Sequence, residues 1–217
     1  MINEAIRPTV LAVKIISNVS PEFAKRLDLG PEHKSLGLIT ADIDDVTYTA
    51  LDEATKAAEV EVVYAKSMYA GSGNASTKLA GEVLGIIAGS SPAEVRSGLN
   101  AALDFMEHGS HFTSANDDNS IVYYAYCVSR TGTYLSKVAD VREGEAIAYL
   151  VAPPLEAMYG LDAALKAADV ELKQLFEPPT ETNFGGALLS GSQSACKAAC
   201  DAFAEAVKSV ANEPKSY

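Results

Sequence analysis

The sequence contains no tryptophan and only three cysteines and three histidines among its 217 residues. Three cysteines, an odd and sparse set, exclude a disulfide framework and favour a reducing compartment. Basic residues are also few: 17 Lys and Arg stand against 29 Asp and Glu, for a formal net charge of -12. Nucleic acids and anionic membranes are therefore poor partners, because binding phosphate needs basic side chains. The charge suits small cations or amines, although it equally serves solubility.

Long apolar runs are absent as well. The run from Val10 to Ile16 is interrupted by Lys14, and the run over 146–155 by two prolines, so neither predicts a transmembrane helix. Residues 1–5 lack a basic start and an apolar core, and no signal peptide is expected. Hydrophobic residues nevertheless make up 48% of the chain, which is enough for well-packed domains.

An internal repeat organises the chain. Residues 51–62, LDEATKAAEVEV, and residues 161–172, LDAALKAADVEL, are identical at eight of twelve positions. Such self-similarity at a fixed offset indicates two homologous halves. The polar stretch 108–119 between them is predicted to be the joining loop. We therefore expect two domains, residues 1–112 and residues 113–217.

Each half shows the same order of predicted elements. Both predict the α/β (α+β) class, with a small sheet and helices packed against it. The first long helix has a capping box in Ser91 and Glu94, with Pro92 at its first position. The predicted elements in the two halves are strands at 10–17 and 121–129, short helices at 21–29 and 131–138, strands at 35–41 and 145–152, helices at 48–59 and 158–169, strands at 60–68 and 170–177, strands at 82–89 and 185–190, and long helices at 92–107 and 193–210.

Several strings carry a family resemblance: ADIDDVTY, VSRTGTYLS, YLVAPPLEAMYGLDAALKAADV and ETNFGGALLSGSQSACKAACDAF. Together they resemble the bacterial microcompartment shell domain in its tandem, circularly permuted, ethanolamine-utilisation form. The resemblance implies a mostly antiparallel sheet flanked by helices in each domain. It further implies a homotrimer that forms a pseudohexameric tile among other shell proteins, in a compartment shell within the cytoplasm. It implies a gated central pore, neither a cofactor nor a metal, and no enzymatic activity.

The resemblance assigns roles to particular residues. Lys56 and Lys166 match the lysine at the tile edge, although each could also be an ordinary solvated lysine. The resemblance also implies small pores that bind ethanolamine through acids, polar residues and aromatic rings. The matching residues are Asp44, Asp45, Glu82, Phe112, Thr182, Asn183 and Phe184.

The acidic pair Asp44 and Asp45 has an alternative explanation. Adjacent carboxylates after a strand can bind an ammonium group through charge-assisted hydrogen bonds. They can equally mark the start of a helix, where one acid caps and the other faces the positive end of the dipole. The residues alone favour the helix start.

Three other motifs give less information about function. The Gly-rich segment 69–77 lacks the GK[ST] ending of a nucleotide-binding loop, and the resemblance implies a loop that opens and closes the central pore. Cys196 and Cys200 lie one turn apart on an apolar helical stripe, which predicts buried small residues and not metal ligands. His111 lies next to Phe112 near the expected threefold axis, where three symmetry copies could bind an adventitious metal.

Two functional hypotheses follow, and neither is catalytic, because no nucleophile–base set or catalytic motif is present. The first is the shell tile. The alternative is a soluble amine sensor made of two α/β modules, with the acidic residues as its ligand site and no role in a shell.

Overall fold

The computed structural model describes residues 2–68, 77, 79, 81–178 and 180–216. The chain forms two compact units. The first unit comprises residues 7–110 together with 132–135, and the second comprises 1–6, 111–131 and 136–217. Among the described residues, no helix is long and apolar enough to cross a membrane.

The described residues form strands and helices in nearly the predicted order. In chain order these are β1 Ala5–Ile6, β2 Val10–Ile16, α1 Pro21–Arg26, β3 Ser35–Ala41, α2 Asp44–Ala57, β4 Val60–Ser67, β5 Val83–Gly89, α3 Pro92–His108, β6 Phe112–Ser114, β7 Val122–Val128, α4 Thr133–Ala139, β8 Ala146–Ala152, α5 Pro154–Ala167, β9 Val170–Phe176, β10 Gly185–Gly191 and α6 Gln193–Asn212.

Each unit contains one antiparallel sheet. The first has the strand order β2-β3-β5-β4, and the second has β1-β6-β7-β8-β10-β9. The last four strands of the second sheet repeat the order of the first, with all pairs antiparallel. The predicted fold class, two mostly antiparallel sheets flanked by helices, is therefore confirmed. The boundary between residues 112 and 113 stays a prediction.

The helices begin where local chemistry satisfies their free N–H groups. The Ser91 hydroxyl accepts from the Glu94 N–H at the start of α3, and the Ser192 hydroxyl accepts from the Ala195 N–H at the start of α6. Pro92 occupies the first turn of α3, as the capping box predicted. These equivalent caps give the two long helices the same place in the repeat.

The core of each unit lies between its sheet and its two long helices. In the first unit, α2 and α3 pack on the face of the sheet that carries Ile39 and Ile87. In the second unit, Phe203 of α6 is fully buried and belongs to the cluster that α5 and the sheet complete. A ring of this size contributes about 3–5 kcal/mol to a core when compared with alanine.

Some predicted boundaries were wrong. Helices α2 and α5 begin at Asp44 and Pro154, four residues earlier than predicted, because acidic residues and prolines are accepted in a first turn without adding to the apolar pattern. Helix α1 ends at Arg26 and not at residue 29. The loop predicted over 108–119 contains β6, which pairs with β1, a strand that was not predicted.

Candidate functional site

Asp44 and Asp45 occupy the first turn of α2, directly after β3. Ile43 is the N-cap residue and makes no side-chain cap, but the Asp44 Oδ1 atom accepts the Asp45 N–H at 2.9 Å. Two carboxylates in the first turn also face the positive end of the helix dipole. The pair therefore lies at a helix start, as the residues alone favoured, although neither acid is the N-cap residue.

Asp44 is buried and hydrogen-bonded on both oxygens. The Ser67 hydroxyl, at the end of β4, donates to Asp44 Oδ2 at 2.6 Å, and the Tyr48 hydroxyl lies 2.5 Å from the same Ser67 oxygen. Asp44 is only 7% exposed. Burial raises the pKa of Asp44 above its usual range, and the bond from Ser67 opposes that rise. The buried carboxylate is costly unless a cation joins it.

Glu82 adds a third carboxyl group to the same region of the first unit. Its N–H donates to the Ala41 carbonyl at 2.8 Å, and its own carbonyl accepts from the Met68 N–H at 2.7 Å. Burial first, and then the charges of Asp44 and Asp42, raise the pKa of Glu82 to about 7. Glu82, directly before β5, thus lies close enough to Asp44 in the first turn of α2 for the two charges to interact.

Gly81 explains how Glu82 comes so close to the end of β3. A Cβ atom at Gly81 would lie 1.9 Å from the Ala41 carbonyl oxygen, so only glycine permits this approach of the backbone. The Gly81 N–H donates to the Thr40 hydroxyl at 3.3 Å. The local backbone therefore sets the position of the third acid.

The other four predicted ligand residues lie in the second unit. Phe112 of β6 is buried, stacks on Tyr124 with ring centroids 5.4 Å apart, and meets Phe184 edge-on at 6.0 Å. Thr182 and Asn183 form the turn before β10, where Asn183 adopts a positive φ of 63°. Asparagine tolerates this left-handed conformation better than most residues. The two rings are brought together, and Thr182 and Asn183 adjoin Phe184 in the chain.

The two predicted edge lysines differ in their surroundings. The Lys56 side chain is only 12% exposed and forms ion pairs with Glu53 and, at 3.5 Å, with Asp52. The Lys166 side chain is 74% exposed, and its Nζ atom lies 2.6 Å from Asp162. Their role at a tile edge stays a prediction.

Two residues of the acidic site were missed from the sequence. Tyr48 lies four residues after Asp44 and so shares its helix face, which is a signal that could have found it. Ser67, 23 residues from Asp44 at the end of another strand, gives no such signal. The pKa of Tyr48 is raised chiefly by burial, with Asp44 and Asp45 adding to the effect, so this hydroxyl stays protonated and can donate.

The remaining candidate residues are the cysteines and the Gly-rich segment 69–77. Cys196 and Cys200 are buried in the core of the second unit, as predicted, and Cys127 is half-buried beside it. Within the described part of the chain, no three His, Cys, Asp or Glu side chains are grouped to hold a metal. The segment 69–77, predicted to gate a pore, lies outside the described residues except for Thr77.

Comparison with known proteins identifies a family. Residues 35–116 match the BMC domain. The chain is 78% identical over 217 residues to the bacterial microcompartment shell protein EutL of Clostridium perfringens, covering 100% of both chains. The crystal structure of EutL from that organism superimposes with a TM-score of 0.98 and covers 100% of this chain and 99% of that one. The ethanolamine utilization protein EutL from Leptotrichia buccalis is 65% identical, with the same TM-score and full coverage of both chains.

These relatives also decide between the hypotheses. The C. perfringens relative is named as a shell protein, which confirms that the chain is not an enzyme and favours the tile over a sensor without a shell. The fold and the full-length identity point the same way. The chain therefore belongs to the EutL family of bacterial microcompartment shell proteins.

Proposed function

We propose that this chain forms a homotrimeric, pseudohexameric tile in the shell of an ethanolamine-utilisation microcompartment and that its acidic site binds ethanolamine in a small pore. The central pore of the tile, gated by the segment 69–77, then serves bulkier metabolites. The family resemblance and the duplicated shell domain support the tile, since two domains in each of three chains supply the six positions of a hexagon. The other shell proteins are its partners.

The observation that carries the ligand proposal is the acidic group of Asp44, Asp45 and Glu82. Two of its carboxyl groups have a raised pKa because burial penalises their charge, so a cation placed among them removes part of that penalty. A protonated amine supplies both the charge and N–H donors for charge-assisted hydrogen bonds. Phe112, Thr182, Asn183 and Phe184 remain proposed ligand residues on the basis of the resemblance.

The size of the ligand limits the affinity. Ethanolamine has four non-hydrogen atoms, and at about 1.5 kcal/mol per atom the binding free energy is at most about 6 kcal/mol. That corresponds to a dissociation constant no tighter than about 40 µM. A pore ligand must also leave, so weak binding suits transport.

Isothermal titration calorimetry of the full chain with ethanolamine tests the ligand site. We expect saturable binding by the wild type and binding weakened at least about tenfold by Asp45→Ala, because one carboxylate no longer meets the ammonium. Asp201→Ala, which removes an exposed acid from α6 in the second unit, is the matched control and should bind normally. Identical titrations for the wild type and Asp45→Ala would remove this site.

Electron microscopy tests the tile separately. Concentrated protein, alone or mixed with hexameric shell proteins, should form sheets, tubes or closed shells, because edge contacts that do not close on themselves extend into a layer. Dispersed particles under every condition would contradict the tile.

A further inference from the structure

Helix α5 presents an apolar face to solvent. Leu155, Met158 and Tyr159 are 62%, 36% and 56% exposed. Residues three and four positions apart share one face of a helix, so the three side chains form a single patch. On α2 the corresponding positions are covered: Asp45 is 9% exposed and Thr49 is fully buried. The two helices therefore differ in what lies on this face.

In the first unit, the segment Gly132–Leu135 lies on α2. Asp52 accepts the Gly132 N–H at 2.7 Å and the Leu135 N–H at 2.8 Å, and the Thr55 hydroxyl accepts the Thr133 N–H at 3.1 Å. Asp52 and Leu135 are both buried. We call this arrangement, defined by Asp52, Thr55 and the segment Gly132–Leu135, the α2 contact.

The repeat identifies the counterpart of that segment. Asp28 and Asp140 have positive φ values of 54° and 51°, and they end α1 and α4 in the same way. The bond from the Val19 N–H to the Lys34 carbonyl repeats as the bond from the Thr131 N–H to the Glu145 carbonyl. Two further pairs of equivalent bonds follow: Leu29 N to Ala24 O with Val141 N to Ser136 O, and Asp28 N to Lys25 O with Asp140 N to Lys137 O. Residues 20–23 therefore correspond to residues 132–135.

The side of α5 that corresponds to Asp52 and Thr55 carries Asp162 and Leu165. Asp162 keeps the carboxylate, and its side chain is 66% exposed. In the segment 20–23, Phe23 corresponds to the buried Leu135 and is 39% exposed. Both halves of a second contact are thus present, and both are exposed in the single chain.

One hydrogen bond of the α2 contact has lost both its donor and its acceptor at the corresponding positions of α1 and α5. In the α2 contact the Thr133 N–H donates to the Thr55 hydroxyl. The corresponding residues are Pro21, which has no N–H, and Leu165, which has no acceptor in its side chain. When both partners of a hydrogen bond are replaced by apolar groups, neither a donor nor an acceptor is left buried without a partner. When only one partner is replaced, the other is left unsatisfied. The donor at residue 21 and the acceptor at residue 165 are both absent, as expected if these two surfaces are in contact.

We propose that residues 20–23 of one copy of this chain dock on α5 of a second copy and repeat the α2 contact between subunits. Asp162 accepts the N–H group of Ser20, Pro21 packs on Leu165, and Phe23 takes the place that Leu135 holds in the α2 contact. The two surfaces differ, so the contact is heterologous and each chain donates one segment and receives one. The proposal rests on the proposed trimer and names the residues that close it.

The two contacts are not identical in detail. A Cβ atom at Gly132 would lie 2.3 Å from the Thr55 hydroxyl and 2.7 Å from the Asp52 carbonyl oxygen, so the segment lies against α2 as closely as glycine allows. Ser20 carries a Cβ at this position, and its segment must lie further from α5. The apolar side chains, with Phe23 as the anchor, therefore carry the binding between subunits.

Sedimentation velocity of the full chain tests the contact. We expect the wild type to sediment as a trimer and Phe23→Asp to raise the dissociation constant of the trimer at least about thirtyfold, as the loss of a buried aromatic anchor does. Asp162→Ala should weaken the trimer less. Circular dichroism should show that Phe23→Asp is folded, because Phe23 is partly exposed in the single chain.

Arg26→Asp is the matched control on the same helix. Its counterpart Val138 stays 38% exposed, so Arg26 should remain outside the contact and the trimer should persist. A trimer equally stable in Phe23→Asp would overturn this inference and leave the proposed tile intact. A wild type that is monomeric at every concentration would instead refute the trimer itself.

Discussion

The Ser67 hydroxyl donates a 2.6 Å hydrogen bond to Oδ2 of Asp44, joining the end of β4 to the first turn of α2. The Tyr48 hydroxyl lies 2.5 Å from the same serine oxygen. A buried carboxylate is tolerated in a protein only when donors or a cation meet it. The hydrogen bond from Ser67 therefore favours the ionised form of Asp44.

Replacing this donor should destabilise the first unit. Ser67→Ala leaves Asp44 Oδ2 without its donor and the Tyr48 hydroxyl without its partner, so we expect the free energy of unfolding at pH 7 to fall by about 1–3 kcal/mol. Urea denaturation followed by circular dichroism measures this change. Ser97→Ala, an exposed position on α3, should alter it by less than about 0.5 kcal/mol.

The pH dependence of this loss has a definite sign. The bond from Ser67 lowers the pKa of Asp44, so its removal raises that pKa further. A carboxyl group with a raised pKa in the folded state binds more protons folded than unfolded, and stability falls as pH rises through that pKa. The Ser67→Ala penalty should thus be larger at pH 7 than at pH 4. A penalty independent of pH would show that Asp44 is not the affected group.

Ethanolamine affinity should depend on the ionisation of Glu82. With a pKa raised to about 7, this carboxyl group is about half protonated at neutral pH, and a bound ammonium group favours its ionised form. We expect the affinity to rise from pH 6 to pH 8, with a slope of up to about tenfold per pH unit below pH 7. The amine stays protonated throughout, since alkylammonium groups such as that of lysine have a pKa of about 10.

Glu82→Gln provides the control for this profile. The glutamine keeps the shape of the side chain but cannot ionise, so binding should be weaker at pH 8 and nearly flat between pH 6 and pH 8. Calorimetric titrations of both proteins at several pH values give the comparison. A wild-type profile as flat as that of Glu82→Gln would mean that Glu82 does not titrate on binding.

Much of the fold could be predicted because its signals are local and occur twice. The caps at Ser91 and Ser192, the apolar stripes of α3 and α6 and the strand runs are all determined by neighbouring residues. The repeat then confirmed each assignment in one half by its counterpart in the other. The α/β class followed from these local patterns, whereas the antiparallel pairing of the strands was implied by the family resemblance.

The features that could not be predicted depend on distant residues. The two-residue strand β1 pairs Ala5 with Thr113, and neither short strand has an alternating pattern of its own. The hydrogen bond between Ser67 and Asp44 likewise depends on how β4 and α2 pack, and neither segment has a sequence pattern that predicts it. The acids themselves were found only because a family resemblance singled them out, since a helix start explains them equally well.

The three thiols should differ in their reaction with iodoacetamide. Burial raises the pKa of Cys196 to about 11 and raises the pKa of Cys200 as well, so neither forms a thiolate at pH 7.5. Cys127 is half-buried, and burial raises its pKa too. In the folded protein we expect slow labelling at Cys127 alone, and labelling of all three in guanidinium chloride. Mass spectrometry counts the labels, and rapid native labelling of Cys200 would contradict its place in the core.

Asp52 should matter most among the acids for stability. Its side chain is fully buried, and it accepts two backbone N–H groups from the segment Gly132–Leu135 while its Oδ2 atom lies 3.5 Å from Lys56 Nζ. Asp52→Ala leaves both N–H groups without an acceptor and removes one of the two carboxylate partners of the half-buried Lys56 ammonium group. We expect the free energy of unfolding to fall by about 3–5 kcal/mol, the usual cost of breaking a buried ion pair from one side.

Asp201→Ala separates this effect from the loss of any carboxylate. Asp201 pairs with Lys197 on the exposed side of α6, with both side chains about two-thirds exposed, so its removal should cost less than about 1 kcal/mol. Asp52→Asn should be intermediate, because the amide oxygen can still accept one N–H while its NH₂ group faces a donor. Urea denaturation of the three variants ranks them, and equal losses for Asp52→Ala and Asp201→Ala would show that the segment Gly132–Leu135 is not held on α2 by this carboxylate.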